Sequence, residues 1–414
     1  MTADRPWHVA VFAHRYPPAL GGAERYCQLL GEYLVSQGDR VSVFTTTALE
    51  LNEFWQRSPR PTLRDEPDAQ PSIRRFRPAT FPLRRYVLKA ASLVPIRRWQ
   101  AAAQPCNPLC PDMAVAAAEY DGPLDAVHAL AFPYSFPILC GLRLARRRRV
   151  PFFLTPFLHL GDPTDPADRT RRQYTKPHLK WLLKQADGVF VQTPSEFRAV
   201  VQLGVPEARV CLQGLGVDPL ECTGGDRAGT RRRWGMAAEE FVVGHLANAS
   251  IEKGTVDLLC AAAAENIRVV LAGPTMPNFE RFWQSFARKD LVTRLGSISE
   301  SEKRDFYAGI DAFALPSRTD SFGLVLLEAW ANAKPVLAYR AGGPADLIRD
   351  GIDGHLVACG DWKAFGERLR QLRDDPELRL RLGRAGYDRV PTEFAWEPKL
   401  KLVRDHMRTR NNLA

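Results

Sequence analysis

The stretch with the most chemistry runs from Pro316 to Ala338, where Asp320, Ser321, Phe322 and Gly323 precede an apolar run containing Glu328. A strand is expected to end at Pro316, a short loop to follow, and a helix to begin near Gly323. A residue without a side chain there lets a ligand approach the backbone, and the free N–H groups with the helix dipole suit a diphosphate. Glu328, in the second turn, can accept from a pair of sugar hydroxyls, and Asp320 sits on the ligand side of the same helix end. A plainer reading stands beside this one. Thr319, Asp320 and Ser321 are all good N-caps, and an isolated helical Glu is usually solvated. Lys253, in Ile251-Glu-Lys-Gly254, follows another expected strand and opens a helix. A lysine so placed can neutralise a departing diphosphate, where charge builds as a bond breaks.

These segments resemble glycosyltransferase family four, whose E-x7-E signature has Asp320 and Glu328 at its two acidic positions. Leu295-Gly-Ser-Ile298 ahead of an acidic helix, Tyr307, Asp311-Ala-Phe313 and Gly342-Gly343 fit the same family. The resemblance implies a retaining transferase of the GT-B fold, α/β, with two Rossmann-like domains whose parallel sheets face a central cleft. It implies that Glu328 holds the ribose hydroxyls and that Asp320 contacts the transferred sugar. Ser321, the Phe322–Leu324 backbone and Ile298 would line the donor site. The loop Pro17-Pro-Ala-Leu-Gly21-Gly22 is similar to the family's glycine loop, which approaches the donor phosphate and sugar. His159, after Thr155-Pro-Phe-Leu, resembles the histidine that supports the transferred sugar. His128 stands in Asp125-Ala-Val-His128, as in the family's D-x-V-H strand. Two departures are visible. Asp320 replaces the usual Glu, and the Arg that normally accompanies Lys253 is missing, leaving His245 or Asn248 as stand-ins.

The elements that must position these residues alternate. Strands are expected at 8–12, 41–45, 126–130, 152–155, 189–192 and 209–212, then at 242–245, 269–272, 312–315 and 335–338. Helical patterns lie between them, which is the signature of parallel, doubly wound sheets. Domains are expected at 1–214 (the acceptor side, with a basic insertion about 53–111) and 215–391 (the donor side). A final helix, 392–414, should cross back to the first domain. Leu215 to Met236, rich in Gly, Asp and Arg, reads as a linker.

At 414 residues, with 45% hydrophobic and 25% charged side chains, the chain can bury two cores. Apolar runs fall short of the ~18 residues of a membrane span, and the polar N-terminus suggests no signal peptide. The expected location is cytoplasmic, peripheral to the inner face of the cell membrane. Nine of the ten surplus positive charges fall within residues 1–215, concentrated between Arg57 and Arg98 and at Arg146 to Arg149. A basic face attracts polyanions. Basic residues alternate with Phe76, Phe81, Tyr86 and Trp99 between Arg74 and Arg98, so an anionic membrane surface is one candidate partner and an acceptor-binding loop another.

The eight cysteines show no zinc spacing and no metal cluster or cofactor is expected. The substrate implied is a UDP- or GDP-sugar, with the acceptor open and a lipid-linked one among the candidates. Two alternatives stand beside this reading: a GT-B relative that binds a nucleotide sugar without turnover, and a nucleic-acid binder using the basic half. The basic stretch holds no motif for reading bases, so no nucleic-acid partner is expected.

Overall fold

The computed structural model describes residues 5–57 and 63–411. The ends of the chain and the part of the basic stretch at 58–62, including Arg60, lie outside the described residues.

Among the described residues, thirteen strands form two parallel sheets. The first contains β1 (His8–Phe12), β2 (Arg40–Thr46), β3 (Ser72–Phe76), β4 (Ala126–Leu130), β5 (Phe152–Thr155), β6 (Gly188–Val191) and β7 (Val210–Leu212), in the order β3-β2-β1-β4-β5-β6-β7. The second contains β8 (Val242–Leu246), β9 (Arg268–Ala272), β10 (Val292–Gly296), β11 (Ala312–Leu315), β12 (Val336–Tyr339) and β13 (Gly354–Val357), in the order β10-β9-β8-β11-β12-β13. Each sheet reverses its winding once, between β1 and β4 and between β8 and β11. Ligands of doubly wound sheets bind beyond the carboxyl ends of the strands at such a reversal.

The chain forms two compact units. One comprises residues 1–158, 172–213 and 397–414, and the other residues 159–171 and 214–396. In the first, Phe12, Phe44, Phe152, Phe153 and Phe190 are fully buried. This is what runs of apolar strand residues covered on both faces produce. The last helix, Trp396–Asn411, buries Leu400, Val403 and Met407. Within the same unit its Arg404 and Arg408 reach the buried Asp39 carboxylate at 2.7 and 2.8 Å.

In the second unit the apolar stripe of the helix Leu324–Ala331 is buried through Leu326, Leu327 and Trp330. The segment expected as a linker is ordered. It holds helices Pro219–Cys222 and Arg227–Arg233, the latter capped by Asp226. Its Arg231 is buried, donating to four backbone carbonyls and pairing with Asp311 at 2.5 Å. A sequence rich in Gly and Arg reads as loose until the carbonyls that satisfy a buried guanidinium are known.

Candidate functional site

Lys253 and Asp320 meet beyond the carboxyl ends of β8 and β11, where the second sheet reverses. Lys253 Nζ lies 2.8 Å from Asp320 Oδ1, with the two side chains 24% and 18% exposed. Two features draw their loops together. Gly254 adopts φ +71°, and a Cβ there would stand 1.8 Å from the Pro316 carbonyl oxygen, so only glycine fits. The Arg318 N–H also donates to the Glu252 carbonyl at 3.0 Å. The Lys253 loop is tightened by its own N–H to Ser250 Oγ at 3.1 Å and by the Ser250 N–H to Thr255 Oγ1 at 3.1 Å.

The Asp320 loop is held from its other side. The Gly343 N–H donates to the Asp320 carbonyl at 2.9 Å, and a Cβ on Gly343 would lie 2.3 Å from Phe322 Cα. Burial alone would raise the Asp320 carboxyl. The Lys253 charge and the Lys253 hydrogen bond outweigh it and hold the group below its ordinary value. Asp320 Oδ2 is buried and has no hydrogen-bond partner among the described residues.

His159 belongs to the same unit and stands beside this pair. Burial pushes its imidazole down to about 4, the Lys253 charge adds to that, and the Asp320 charge and a hydrogen bond to the Thr319 backbone oppose it. At neutral pH the ring is therefore neutral, able to hydrogen-bond without carrying charge. After Asp320 the chain turns through Gly323, at φ +98°, into the helix Leu324–Ala331. Glu328 lies one turn in, 17% exposed. Its Oε1 accepts from Lys303 Nζ at 3.0 Å and its Oε2 from the Tyr307 hydroxyl at 2.7 Å.

The chain as a whole is similar to known proteins. A model for "glycosyl transferases group 1" matches residues 226–389, and one for a "glycosyl transferase 4-like domain" matches residues 21–216. The chain belongs to the family-four type of GT-B glycosyltransferases. Among its relatives, D-inositol 3-phosphate glycosyltransferase of Mycobacterium tuberculosis is 30% identical over 249 residues, covering 57% of this chain and 50% of the relative. The chain thus spans about half the length of the curated relatives it matches.

Solved structures share the fold. Sucrose-phosphate synthase from Thermosynechococcus elongatus superposes with TM-score 0.73 at 21% identity over 99% of this chain and 100% of that one. Anabaena HepE in complex with UDP-glucose gives 0.70 at 18% over 97% and 99%.

Not every residue expected at the GT-B site is placed there. His128 is fully buried in mid-strand, its Nε2 2.8 Å from Thr155 Oγ1 and its ring edge-on to Phe190, and burial pushes it down to about 3. It is a packed core histidine. His245 is also fully buried and does not stand in for the missing Arg. Its Nδ1 lies 2.8 Å from the Ala314 carbonyl, which can only accept, so Nδ1 carries the proton and Nε2 accepts from Thr255 Oγ1 at 3.1 Å. That ring ties β8 to β11 and to the Lys253 loop. Asn248 is exposed, and Ile298 lies partly buried between β10 and the helix Glu300–Gly309.

In the first unit, Gly21 precedes the helix Gly22–Ser36, and a Cβ on it would lie 2.2 Å from Glu24 Oε2. Glu24 is itself buried between Arg15 at 2.7 Å and His14 at 3.2 Å. The glycine loop is thus braced by an ion pair that the sequence did not advertise. Lys303 was missed as well. It sits in a run, Glu300-Ser-Glu-Lys-Arg304, that looks like a solvated helix face. Among the described residues no group of three His, Cys, Asp or Glu side chains converges to hold a metal ion.

The bonds at Glu328 set up one prediction. A carboxylate has about four acceptor positions, and two are used by Lys303 and Tyr307, leaving two for the hydroxyls of a ligand. Glu328→Gln keeps the shape but removes the charge facing Lys303 and replaces one acceptor oxygen with an amide N–H₂ that can only donate. We expect the donor KM to rise about tenfold to a hundredfold, the cost of about 1.5–3 kcal/mol for a charged hydrogen bond, with kcat little changed. Lys303 stays paired with Glu300 at 2.7 Å, so the variant should fold. Steady-state kinetics checks this, and an unmoved KM would remove Glu328 from the donor site.

Proposed function

We propose that the chain is a retaining glycosyltransferase that moves a sugar from a nucleoside diphosphate donor to an acceptor hydroxyl without a metal ion. The observation that carries this reading is the Lys253–Asp320 pair with its unpartnered Asp320 Oδ2. A buried carboxylate oxygen without a donor is costly unless a ligand supplies one, and a sugar hydroxyl is such a donor. Anabaena HepE, whose fold is shared, has been solved with UDP and with UDP-glucose, which makes a UDP-sugar the first donor to try.

In this reading the diphosphate rests against the N–H groups at Phe322–Leu324 and receives the Lys253 charge. Asp320 and the neutral His159 hold the sugar by hydrogen bonds. The bond from the anomeric carbon to the diphosphate oxygen breaks while the acceptor oxygen bonds to the same face, through an oxocarbenium-like state. The acceptor's proton passes to the departing phosphate oxygen. Lys253 supplies charge stabilisation where negative charge develops, and the protein's remaining contribution is positioning.

Calorimetric titration of common nucleotide sugars identifies the donor, and NMR of the released product reports its anomeric configuration. Retention in the presence of EDTA is the expected result. An inverted product, or activity lost in EDTA and restored by Mg²⁺ or Mn²⁺, contradicts the mechanism. Donor binding without turnover towards any acceptor or water identifies a non-catalytic relative.

A further inference from the structure

Residues 69–111 contain eight Arg and Lys side chains and no Asp or Glu. Arg74, Arg75 and Arg84 are turned inward or onto rings, so the exposed basic stretch is narrower than the sequence suggests. Arg74 lies over the Phe44 and Phe76 rings, and Arg75 is buried beside Tyr16, donating to the Pro17 carbonyl. Arg84 is buried too, donating to the carbonyls of Ala79, Pro105 and Asn107 at 3.0, 3.1 and 2.5 Å. Arg77, Arg85, Lys89, Arg97 and Arg98 are exposed, the last four on the segment 84–99.

The same stretch holds eight of the twenty large apolar side chains exposed among the described residues, led by Leu93 at 76% and by Leu83 and Tyr86 at 71%. Helix Arg84–Ala91 explains how they come to share a face. Its buried side chains are Arg84 and Leu88. Leu83, Tyr86, Val87 and Ala90, spaced by three and four, therefore line the opposite side, with Arg85 and Lys89 as a strip beside them. A soluble helix ordinarily turns its polar side outward, and here an apolar stripe and a basic stripe are both exposed. The loop after it adds Leu93 and Ile96, and helix Arg97–Ala102 adds Trp99. The face is held by buried bonds. Besides those of Arg84, Asn107 Nδ2 donates to the Ala101 and Ala102 carbonyls at 2.7 and 3.1 Å, and Ser135 Oγ to Ala101 at 2.7 Å.

We propose that this face docks on an anionic lipid bilayer. Charge of one sign over the whole stretch complements anionic headgroups, whereas a protein interface is ringed by a mixed polar rim. Tyr86 and Trp99 are the side chains that favour the headgroup level, and Leu83, Leu93 and Ile96 can enter the acyl boundary. Attraction comes from the exposed cations, Arg85, Lys89, Arg97 and Arg98 among them, and falls with salt; retention comes from the apolar side chains.

Sedimentation of the full chain with phosphatidylcholine vesicles, with and without phosphatidylglycerol, tests this. The wild type should bind only the anionic vesicles and be released by salt. The combined variant R85E, K89E, R97E and R98E should lose at least about a hundredfold in partitioning, because each such cation is worth about a factor of five near an anionic surface. The variant Tyr86→Ser, Leu93→Ser, Trp99→Ser should bind more weakly and release at lower salt, and these exposed positions leave the fold intact. No binding at low ionic strength overturns the proposal, as does equal binding to neutral vesicles or an unaltered apolar variant. Self-association that the apolar variant abolishes, without vesicle binding, would assign the face to a second copy of the chain and overturn it equally.

Discussion

Replacing Lys253 by methionine should lower kcat for sugar transfer about a hundredfold to a thousandfold, the usual loss when one donor to a developing negative charge is removed. That is about 2.7–4 kcal/mol of transition-state stabilisation. Methionine keeps the stem and removes the ammonium, so the loop shaped by Gly254, Ser250 and Thr255 should persist. The variant leaves Asp320 without its cation in a site where the carboxylate is 18% exposed, at a cost of about 1–3 kcal/mol of stability.

The loss also has a titration signature. The Lys253 charge is the largest influence holding the Asp320 carboxyl below its ordinary value, against the opposing effect of burial. Without Lys253 the carboxyl should rise, so residual activity should fall at a higher pH on the acid side than in the wild type. The buried His245 supplies no second cation, since it is committed to Ala314 and Thr255. The measurements are single-turnover rates across pH and a thermal unfolding curve. A kcat within about threefold of wild type, well under the loss expected for such a donor, would remove Lys253 from the reaction.

How much of this could be read beforehand follows a physical pattern. The sequence named ten of the strands, and the three it passed over, β3, β10 and β13, all lie at sheet edges. β3 and β10 are half-exposed and carry Arg74, Arg75 and Arg294, so they show neither an apolar run nor clean alternation. β13, Gly354-His-Leu-Val357, is buried but too short and too close to glycines to stand out. The switch-point residues were legible because their motif is local: Asp320, Gly323 and Glu328 share one loop and one helix.

Partnerships across elements were not legible. Nothing in the spacing shows that Lys303 reaches Glu328, or that Glu24 bridges His14 and Arg15. The place of the strand histidines was open for a related reason. One residue along a strand separates a ring beyond the sheet's edge from one sealed inside it, and the motif reading could not fix that for His128 or His245.

Asp320, where the chain departs from the family's usual Glu, gives the other large effect. Asp320→Ala should lower turnover about tenfold to a thousandfold, or about 1.4–4 kcal/mol, while nucleotide affinity changes little. The carboxylate has two tasks, and this variant removes both. Oδ1 fixes Lys253 at 2.8 Å, and the unpartnered Oδ2 is the acceptor available to a sugar hydroxyl. Asp320→Asn keeps the loop and one acceptor oxygen but not the charge. If the amide oxygen faces Lys253, the amide N–H₂ takes the place of Oδ2 and can only donate, so that variant should resemble Ala in turnover.

If Lys253 and Asp320 act as one unit, the Lys253→Met, Asp320→Ala double variant should lose far less than the product of the single losses, with a coupling of about 1–3 kcal/mol. Asp320→Glu is the sharper comparison. The Gly343 N–H holds the Asp320 carbonyl and Gly343 abuts Phe322, so the loop cannot retreat to accept a longer side chain. The extra methylene must then push against Lys253 or into the space of the sugar, and turnover should fall rather than recover. Stopped-flow single turnover with the matched donor separates these effects from product release. Full turnover in Asp320→Ala would leave the residue as no more than the partner that orders Lys253.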